Sequence, residues 1–265
     1  MNKITISGLM GTLLLIATSA VPANATTVTQ TFDAPPSGWT VDRYAPAGFT
    51  SPVLFDGDNR LQETISSADG GNNRPSIYSS SFYNTQGMAH TNLAGTIYES
   101  IQLYVSTAML SDPNRVAGFW GVGTDASNVI QSYPIVELAG GTFRGWDSAG
   151  SWVSMGLPSG LTGNQWVTLA MGLDTANNLI DYTVEGQLFT TVSAYGTTHF
   201  DSTILQMYNT QDGIDRTVYW DNLTNSDVSP TPLPAALPLF ASGLGAMGLL
   251  GWRRKRKNAA AIATA

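Results

Sequence analysis

The acidic side chains are the residues of this sequence best suited to chemistry, and their spacing limits that chemistry. The glutamates stand far apart, at Glu63, Glu99, Glu137 and Glu185, and none has an aspartate two residues later. A pair of carboxylates that cleaves a glycosidic bond with retention must lie about 5 Å apart. Glu99 interrupts an otherwise apolar strand face, and an edge position or a hydrogen-bonded core acid explains it better than catalysis does.

Other catalytic groups are scarce in this chain. It has no cysteine and no Gly-x-Ser-x-Gly motif, and its two histidines, His90 and His199, each stand in a polar stretch. A zinc site draws its ligands mainly from His and Cys, so this composition does not favour one. The sequence therefore predicts a protein that is not an enzyme.

Two tryptophans offer a different kind of site. Trp146 and Trp152 lie in a Gly/Ser-rich hairpin that also carries Arg144 and Asp147. Flat aromatic faces stack on the apolar face of a sugar ring, so these four residues form a candidate glycan-binding loop. Packing within the fold is the commoner role for such rings and stays open.

Calcium is the most plausible metal, because it binds carboxylate and carbonyl oxygens. Asp56 and Asp58 flank a glycine in a short acidic turn that could supply such ligands. The ordered ligand spacing of a helix–loop–helix calcium site is missing. Asp-Gly turns also form readily without a metal, so both readings stay open.

Residues 26–228 show no helical period and many short β-rich segments separated by turn residues. The segment 165–173 alternates, with Val167, Leu169, Met171 and Leu173 predicted on one side. A second alternating segment follows at 179–185, and Gly186 supplies the positive φ of a tight hairpin. About a dozen such segments predict an all-β fold, a two-sheet jelly-roll sandwich.

The run from Trp166 to Leu188 is similar to the strand–turn–strand core of concanavalin A-like and laminin-G-like lectin sandwiches. The ending from Val218 to Leu223 resembles the last strand of such folds. The retaining glycosidases of this fold carry Glu-x-Asp-x-x-Glu, which this chain lacks. In the related carbohydrate-binding modules a structural calcium often joins the first and last strands, and that resemblance implies Asp33 and Asp221 as ligands.

The N-terminus, residues 1–25, is predicted to be a secretory signal peptide. Lys3 gives it a positive start, residues 9–17 form its apolar centre, and Ala23 and Ala25 form a small-residue cleavage site. The sequence therefore predicts export of residues 26–228.

The C-terminal segment 229–257 has three parts: a Pro-rich box, an apolar helix at 238–252 and a basic cluster at 253–257, with a tail at 258–265. The helix would be about 22 Å long, which is short for one permanent transmembrane span. The basic cluster is expected on the cytoplasmic side of the membrane.

This three-part order resembles the PEP-CTERM class of bacterial sorting signals, in its Val-Pro-Leu-Pro-Ala variant. The residues that carry the resemblance are Pro232, Leu233, Pro234, Ala235, Arg253, Arg254, Lys255, Arg256 and Lys257. Thr231 stands where the variant has Val. The resemblance implies recognition by an exosortase-type membrane transpeptidase, a transient tether in the inner membrane, and then a cell-surface or extracellular location.

Charge limits the partners of the exported part. All 19 acidic residues lie between 26 and 228, against six arginines and no lysine, so its charge is −13. Such a surface repels nucleic acid and anionic lipid. We expect an envelope or matrix protein whose lectin-like domain binds glycan or exopolysaccharide. The alternatives are a structural or adhesive surface protein without a small ligand, and a glycan-active hydrolase or lyase with a non-standard site.

Overall fold

A computed structural model describes residues 25–66, 83–208 and 212–228. The predicted signal peptide up to residue 24, the sorting signal with its apolar helix 238–252, and the tail lie outside these ranges. Within them, none of the helical residues forms a segment long and apolar enough to cross a membrane. The described chain is almost entirely β-structure, as predicted.

The elements follow one another in a simple order. They are β1 (Thr27–Gln30), β2 (Trp39–Asp42), β3 (Gly48–Phe55), β4 (Asp58–Ile65), β5 (Thr85–Thr91), β6 (Tyr98–Val105), α1 (Thr107–Ser111), β7 (Arg115–Thr124), β8 (Ile130–Ser132), β9 (Ile135–Ala139), β10 (Thr142–Asp147), β11 (Ser151–Gly156), β12 (Gln165–Asp174), β13 (Leu179–Val184), β14 (Gln187–Ser193), β15 (His199–Tyr208) and β16 (Arg216–Ser226).

The strands form two antiparallel sheets of eight strands each. Sheet A has the order β14-β13-β12-β6-β16-β4-β3, with β1 added on β16. Sheet B has the order β11-β10-β9-β7-β15-β5-β2, with β8 added on β7. Hairpins at the edges of each sheet are joined by pairs from distant parts of the chain, such as β6 with β16 and β7 with β15, which is the jelly-roll arrangement expected from the sequence.

The core lies between the sheets and follows the predicted alternation. Val167, Leu169, Met171 and Leu173 of β12 are all buried in it. The turn between β13 and β14 has positive φ at Glu185 and at Gly186, which confirms the tight hairpin. Large side chains from both sheets complete this core, among them Phe119, Phe143, Phe200 and Trp220.

Two acidic side chains lie inside the core, Glu63 on β4 and Glu99 on β6, and both are fully buried. Glu63 Oε2 accepts a hydrogen bond from Trp220 Nε1 at 2.9 Å, and Glu99 Oε2 accepts from Asn92 Nδ2 at 3.0 Å and Thr203 Oγ1 at 2.6 Å. Burial raises the pKa of each carboxyl to about 8, so both carry a proton at neutral pH. Glu99 is thus the hydrogen-bonded core acid that the sequence predicts.

Candidate functional site

The outer face of sheet B is unusually apolar. Residues that alternate with the core positions pack there into a second cluster, built on Trp120, Ile135 and Ile204 and flanked by Trp146 and Trp152. In a sheet with one solvated face, such positions are usually polar. An apolar outer face therefore indicates a surface that binds something or is covered by other parts of the chain.

Beside the apolar cluster, a polar row crosses the middle of sheet B on the same face. The strand registers place Arg144, Glu137, Gly118, Gln206, Gly87 and Asp42 next to one another, in that order. A Cβ atom at Gly118 would lie 2.8 Å from Gln206 Nε2, and one at Gly87 would lie 2.8 Å from Gln206 Cβ. The two glycines therefore give the Gln206 side chain the space in which it lies.

Both arginines on this face are paired and stacked. Arg144 donates to Glu137 Oε1 from Nε at 2.6 Å, and its guanidinium lies 4.0 Å from the centre of the Trp152 ring. Arg43 is bonded to Asp42 and lies over the Trp120 ring at 4.6 Å. These cation–π contacts hold the two arginines against the apolar surface.

A cavity of about 440 Å³ opens at the edge of this face. Its lining combines aromatic rings, hydroxyls and one amide, with no charged side chain: Tyr83, Ile130, Gln131, Ser132, Tyr133, Trp146 and Ser148. Burial raises the pKa of Tyr133, so its hydroxyl stays protonated at neutral pH. The lining thus suits an uncharged ligand that has hydroxyl groups and an apolar side.

The acids of this face do not form a two-carboxylate pair. Asp42 and Glu137 are separated by four strand spacings in the polar row, about 19 Å at the usual distance between strands. Two-carboxylate glycosidases need a separation of at most about 9.5 Å. Burial raises the pKa of Asp42, although Arg43 acts in the opposite direction.

The structure brings three of the four residues of the predicted glycan loop onto one surface. Trp146 and Trp152 are partners across β10 and β11, with ring centres 4.9 Å apart, and Arg144 stacks on Trp152. Asp147, the last residue of β10, is engaged elsewhere: its Oδ1 accepts from Ala149 N at 3.0 Å and from the Tyr195 hydroxyl at 2.8 Å. Only Trp146 of these residues lines the cavity.

The acids suggested as calcium ligands lie on the other side of the sandwich. Asp58 and Asp221 both bind Arg60 Nη1, at 2.9 Å and 2.5 Å, and Asp33 accepts from Asn59 Nδ2 at 3.1 Å. Asp56 accepts from Trp166 Nε1 at 2.9 Å. Across 25–66, 83–208 and 212–228, no group of three or more His, Asp or Glu side chains is arranged to hold a metal ion. Arg60 supplies the positive charge among these carboxylates.

Sequence reasoning missed several parts of the site. Tyr83 and Tyr133 stand in connections, and Gln131 stands in the three-residue strand β8, which is too short for its alternation to indicate which way a side chain points. Trp120 is fully buried, on the outer face beneath Arg43. Trp120 follows Gly118 by two residues on β7. Because alternate residues of a strand share a face, this spacing indicates that the two lie on the same face of the sheet.

Comparison with known proteins gives relatives in fold only. No family model matches the chain, and no curated relative matches it. The catalytic domain of a laminarinase from Thermotoga maritima MSB8 superposes with a TM-score of 0.54 at 14% identity, over 78% of this chain and 100% of that one. A lichenase from a mouse hindgut metagenome gives 0.51 at 15% identity, over 77% and 100%.

A larger enzyme shares the fold as well. The endo-β-galactosidase from Clostridium perfringens that releases GlcNAcα1-4Gal gives a TM-score of 0.51 at 13% identity, over 75% of this chain. The present chain spans 62% of that protein, and it spans 18% of a sialidase chain that also matches. These matches contradict the prediction that the chain is not an enzyme. The absence of known linear motifs was too narrow a ground for it, since acids on separate strands can also meet in a cleft. The chain has the concanavalin A-like jelly-roll fold that these glycoside hydrolases share.

Proposed function

We propose that this chain acts on a glycan, as a hydrolase or lyase whose site differs from the usual pair of carboxylates. The glycan lies against Trp146 on the outer face of sheet B. The observation that carries the proposal is the cavity of about 440 Å³ at the edge of an apolar, tryptophan-rich outer face. Ligand sites are typically concave and mostly apolar, with a few polar groups that fix orientation.

The chemistry of the lining supports a sugar. Trp146 offers a ring for the apolar side of a pyranose, and Tyr133, Ser132 and Ser148 offer hydroxyls for its polar edge. The structures that share the fold are named as enzymes that cleave glycans, which favours a glycan over other ligands of similar polarity. At this low identity they do not identify the linkage that is cut.

Asp42 is our candidate for the general acid. Its pKa is raised by burial, and its partner Arg43 lies 5.3 Å from the centre of the ring of Tyr83, which lines the cavity. A carboxyl with a raised pKa holds its proton to a higher pH than an ordinary aspartate, and in that form it can protonate a leaving sugar oxygen. Arg43, bonded to Asp42 at 2.5 Å, orients the carboxyl.

The test is turnover of a polysaccharide panel by the purified full-length protein. Released reducing ends report hydrolysis, and the ultraviolet absorbance of an unsaturated product reports elimination. We expect Asp42→Asn to abolish turnover. We expect Trp146→Ala to weaken binding at least about tenfold, the equivalent of 1.4 kcal/mol.

Trp166→Ala is the matched control, because Trp166 is a partly exposed tryptophan on the outer face of sheet A. It should leave both binding and turnover unchanged. Equal losses in the two tryptophan variants, or no retardation of the protein by any polysaccharide in affinity electrophoresis, would contradict the proposal.

The location of the protein is part of the same proposal. Its support is the sequence of the two termini, Met1 to Ala25 and Ser229 to Lys257. We propose export, processing near Pro232–Ala235 by an exosortase-type enzyme, and a final place at the cell surface or in the surrounding exopolysaccharide. Mass spectrometry of the protein from cells with and without the transpeptidase tests it, and identical C-termini in both would reject it.

A further inference from the structure

One wall of the cavity is built by residues 130–133, within the connection 125–134 that contains β8, and the carboxylate of Asp125 makes three hydrogen bonds within this connection. Asp125 Oδ1 accepts from Ser127 N at 2.8 Å and Val129 N at 3.0 Å, and its Oδ2 accepts from Gln131 Nε2 at 2.8 Å. The backbone bonds from Val129 and Ser127 lower the pKa of Asp125, and the charge of the neighbouring His199 acts in the same direction. An ionised Asp125 therefore fixes the loop at neutral pH.

This arrangement also fixes which way the Gln131 amide faces. A carboxylate only accepts hydrogen bonds, so the amide nitrogen must face Asp125. The amide oxygen Oε1 is then turned away from Asp125, as an acceptor on a residue that lines the cavity. Ser148, which also lines the cavity, accepts at Oγ from Tyr133 N at 3.2 Å, which leaves its O–H free to donate.

Among the residues that the structure describes, the charges nearest the cavity are already engaged. Arg43 is paired with Asp42, and Arg144 with Glu137. Asp125 is occupied by the three bonds described above. A charged group on a ligand would therefore enter the cavity without a counter-ion and lose part of its hydration, which costs free energy. A sugar hydroxyl finds both a donor and an acceptor there.

We infer that residues 125–134 determine specificity, and that they select an uncharged sugar unit over a uronic acid or sulfated one. Gln131 recognises a hydroxyl through Oε1, and Asp125 is a positioning residue that orients Gln131. Trp146 provides the ring on which the unit stacks. This inference rests on the proposed function, since it concerns the same cavity, and it adds the substrate class.

The experiment measures the binding of matched oligosaccharides to the full-length protein by calorimetry. One set contains neutral glucose, galactose and mannose oligomers, and the other contains uronic acid oligomers of equal length. We expect the best neutral ligand to bind at least about tenfold more tightly than any uronic acid ligand. Gln131→Ala should weaken neutral binding about tenfold. Gln102→Ala, a glutamine on the outer face of sheet A, is the control and should change nothing.

The pH dependence of neutral glycan binding tests whether Asp125 positions Gln131 or only supports the loop. Neutral binding should weaken in acid as Asp125 takes up a proton and releases the Gln131 amide. Asp125→Asn should remove that acid limb, because an asparagine at this position does not titrate. A wild-type profile that is flat in acid, or an acid limb that Asp125→Asn retains, would overturn the positioning role.

The outcomes distinguish this inference from the function on which it rests. If Trp146→Ala weakens binding but Gln131→Ala does not, or if uronic acid ligands bind as well as neutral ones, the inference fails and the glycan site stands. If Trp146→Ala leaves glycan binding unchanged, the proposed function fails and the inference fails with it.

Discussion

On the outer face of sheet A, Arg60 lies 4.7 Å from the centre of the Trp166 ring, and on the outer face of sheet B, Arg144 lies 4.0 Å from that of Trp152. Each arginine is paired with a buried acid, Asp221 in the first case and Glu137 in the second. The two faces therefore contain the same types of residue in the same kind of contact.

Their surroundings differ. On sheet A the tip of the β3–β4 hairpin closes over the rings: Phe55 stacks on Tyr219 with centres 3.6 Å apart, and Asp56 accepts from Trp166 Nε1. On sheet B the rings of Trp146 and Trp152 stand beside an open cavity. Residue types alone do not mark a site. What distinguishes sheet B is space next to an aromatic ring, and sheet A uses the same rings to fasten its own hairpin.

The largest expected effect is on stability, and it comes from two buried acids in the core between the two sheets. The pKa values of Glu63 and Glu99 rise from the ordinary 4.5 to about 8 on folding. Between these pH values the unfolded chain releases the two protons and the folded chain keeps them, so the folded state loses stability as pH rises. The stabilisation is complete below pH 4.5 and is lost as pH rises through 8.

We therefore expect the free energy of unfolding to fall between pH 5 and pH 8, by roughly 1 kcal/mol per pH unit for each carboxyl. Urea unfolding at several pH values measures it. The double variant Glu63→Gln, Glu99→Gln should flatten the dependence. If the free energy of unfolding falls with pH equally steeply in the wild-type protein and in this variant, groups other than Glu63 and Glu99 cause the pH dependence.

The next effect concerns Arg60, which we expect to contribute to stability and not to glycan binding. Arg60→Ala leaves Asp221, which is 3% exposed, without its counter-ion and close to the negative charges of Asp58 and Asp33. We expect a loss of about 3 kcal/mol in stability, with glycan affinity unchanged in the protein that remains folded. Arg60→Lys, which retains the charge, should lose less. A loss of glycan binding in folded Arg60→Ala would contradict the assignment of sheet A to packing.

The smallest effect concerns the contact that holds the β3–β4 hairpin against sheet A. Phe55→Ala removes a stacked, partly buried ring and should lower the free energy of unfolding by about 1 to 2 kcal/mol. Hydrogen exchange should become faster in the β3–β4 turn but not in β10 and β11. Equal acceleration in both hairpins would mean that the two faces are not independent.

The repeating parts of this structure could be read from the sequence, because alternation in a strand is a local property. Leu169 and Tyr182 are examples: their neighbours in sequence already indicate that they face the core. The pair of Trp146 and Trp152 was accessible for the same reason, since a short hairpin places its two strands side by side.

Contacts between distant parts of the chain were not accessible. The resemblance implied Asp33 and Asp221 as calcium ligands, and the acidic turn suggested Asp58. These three acids lie near one another around Arg60, a cation that nothing in their own spacing indicates. The burial of Glu63 could not be predicted either, because its hydrogen-bond partner Trp220 is 157 residues away in the sequence. The cavity depends on two loops meeting over a sheet, and that geometry has no period in the sequence.

The pairing of β1 with β16 has a mechanical consequence. Thr27 lies opposite Ser226, and Thr26 and Asp227 exchange two hydrogen bonds, from Thr26 N at 2.8 Å and from Asp227 N at 3.2 Å. The first and last described segments therefore leave the sandwich at a single corner. A tether attached at either end would hold the domain at that same corner. The cavity would therefore face the same direction, relative to the point of attachment, whichever end carries the tether.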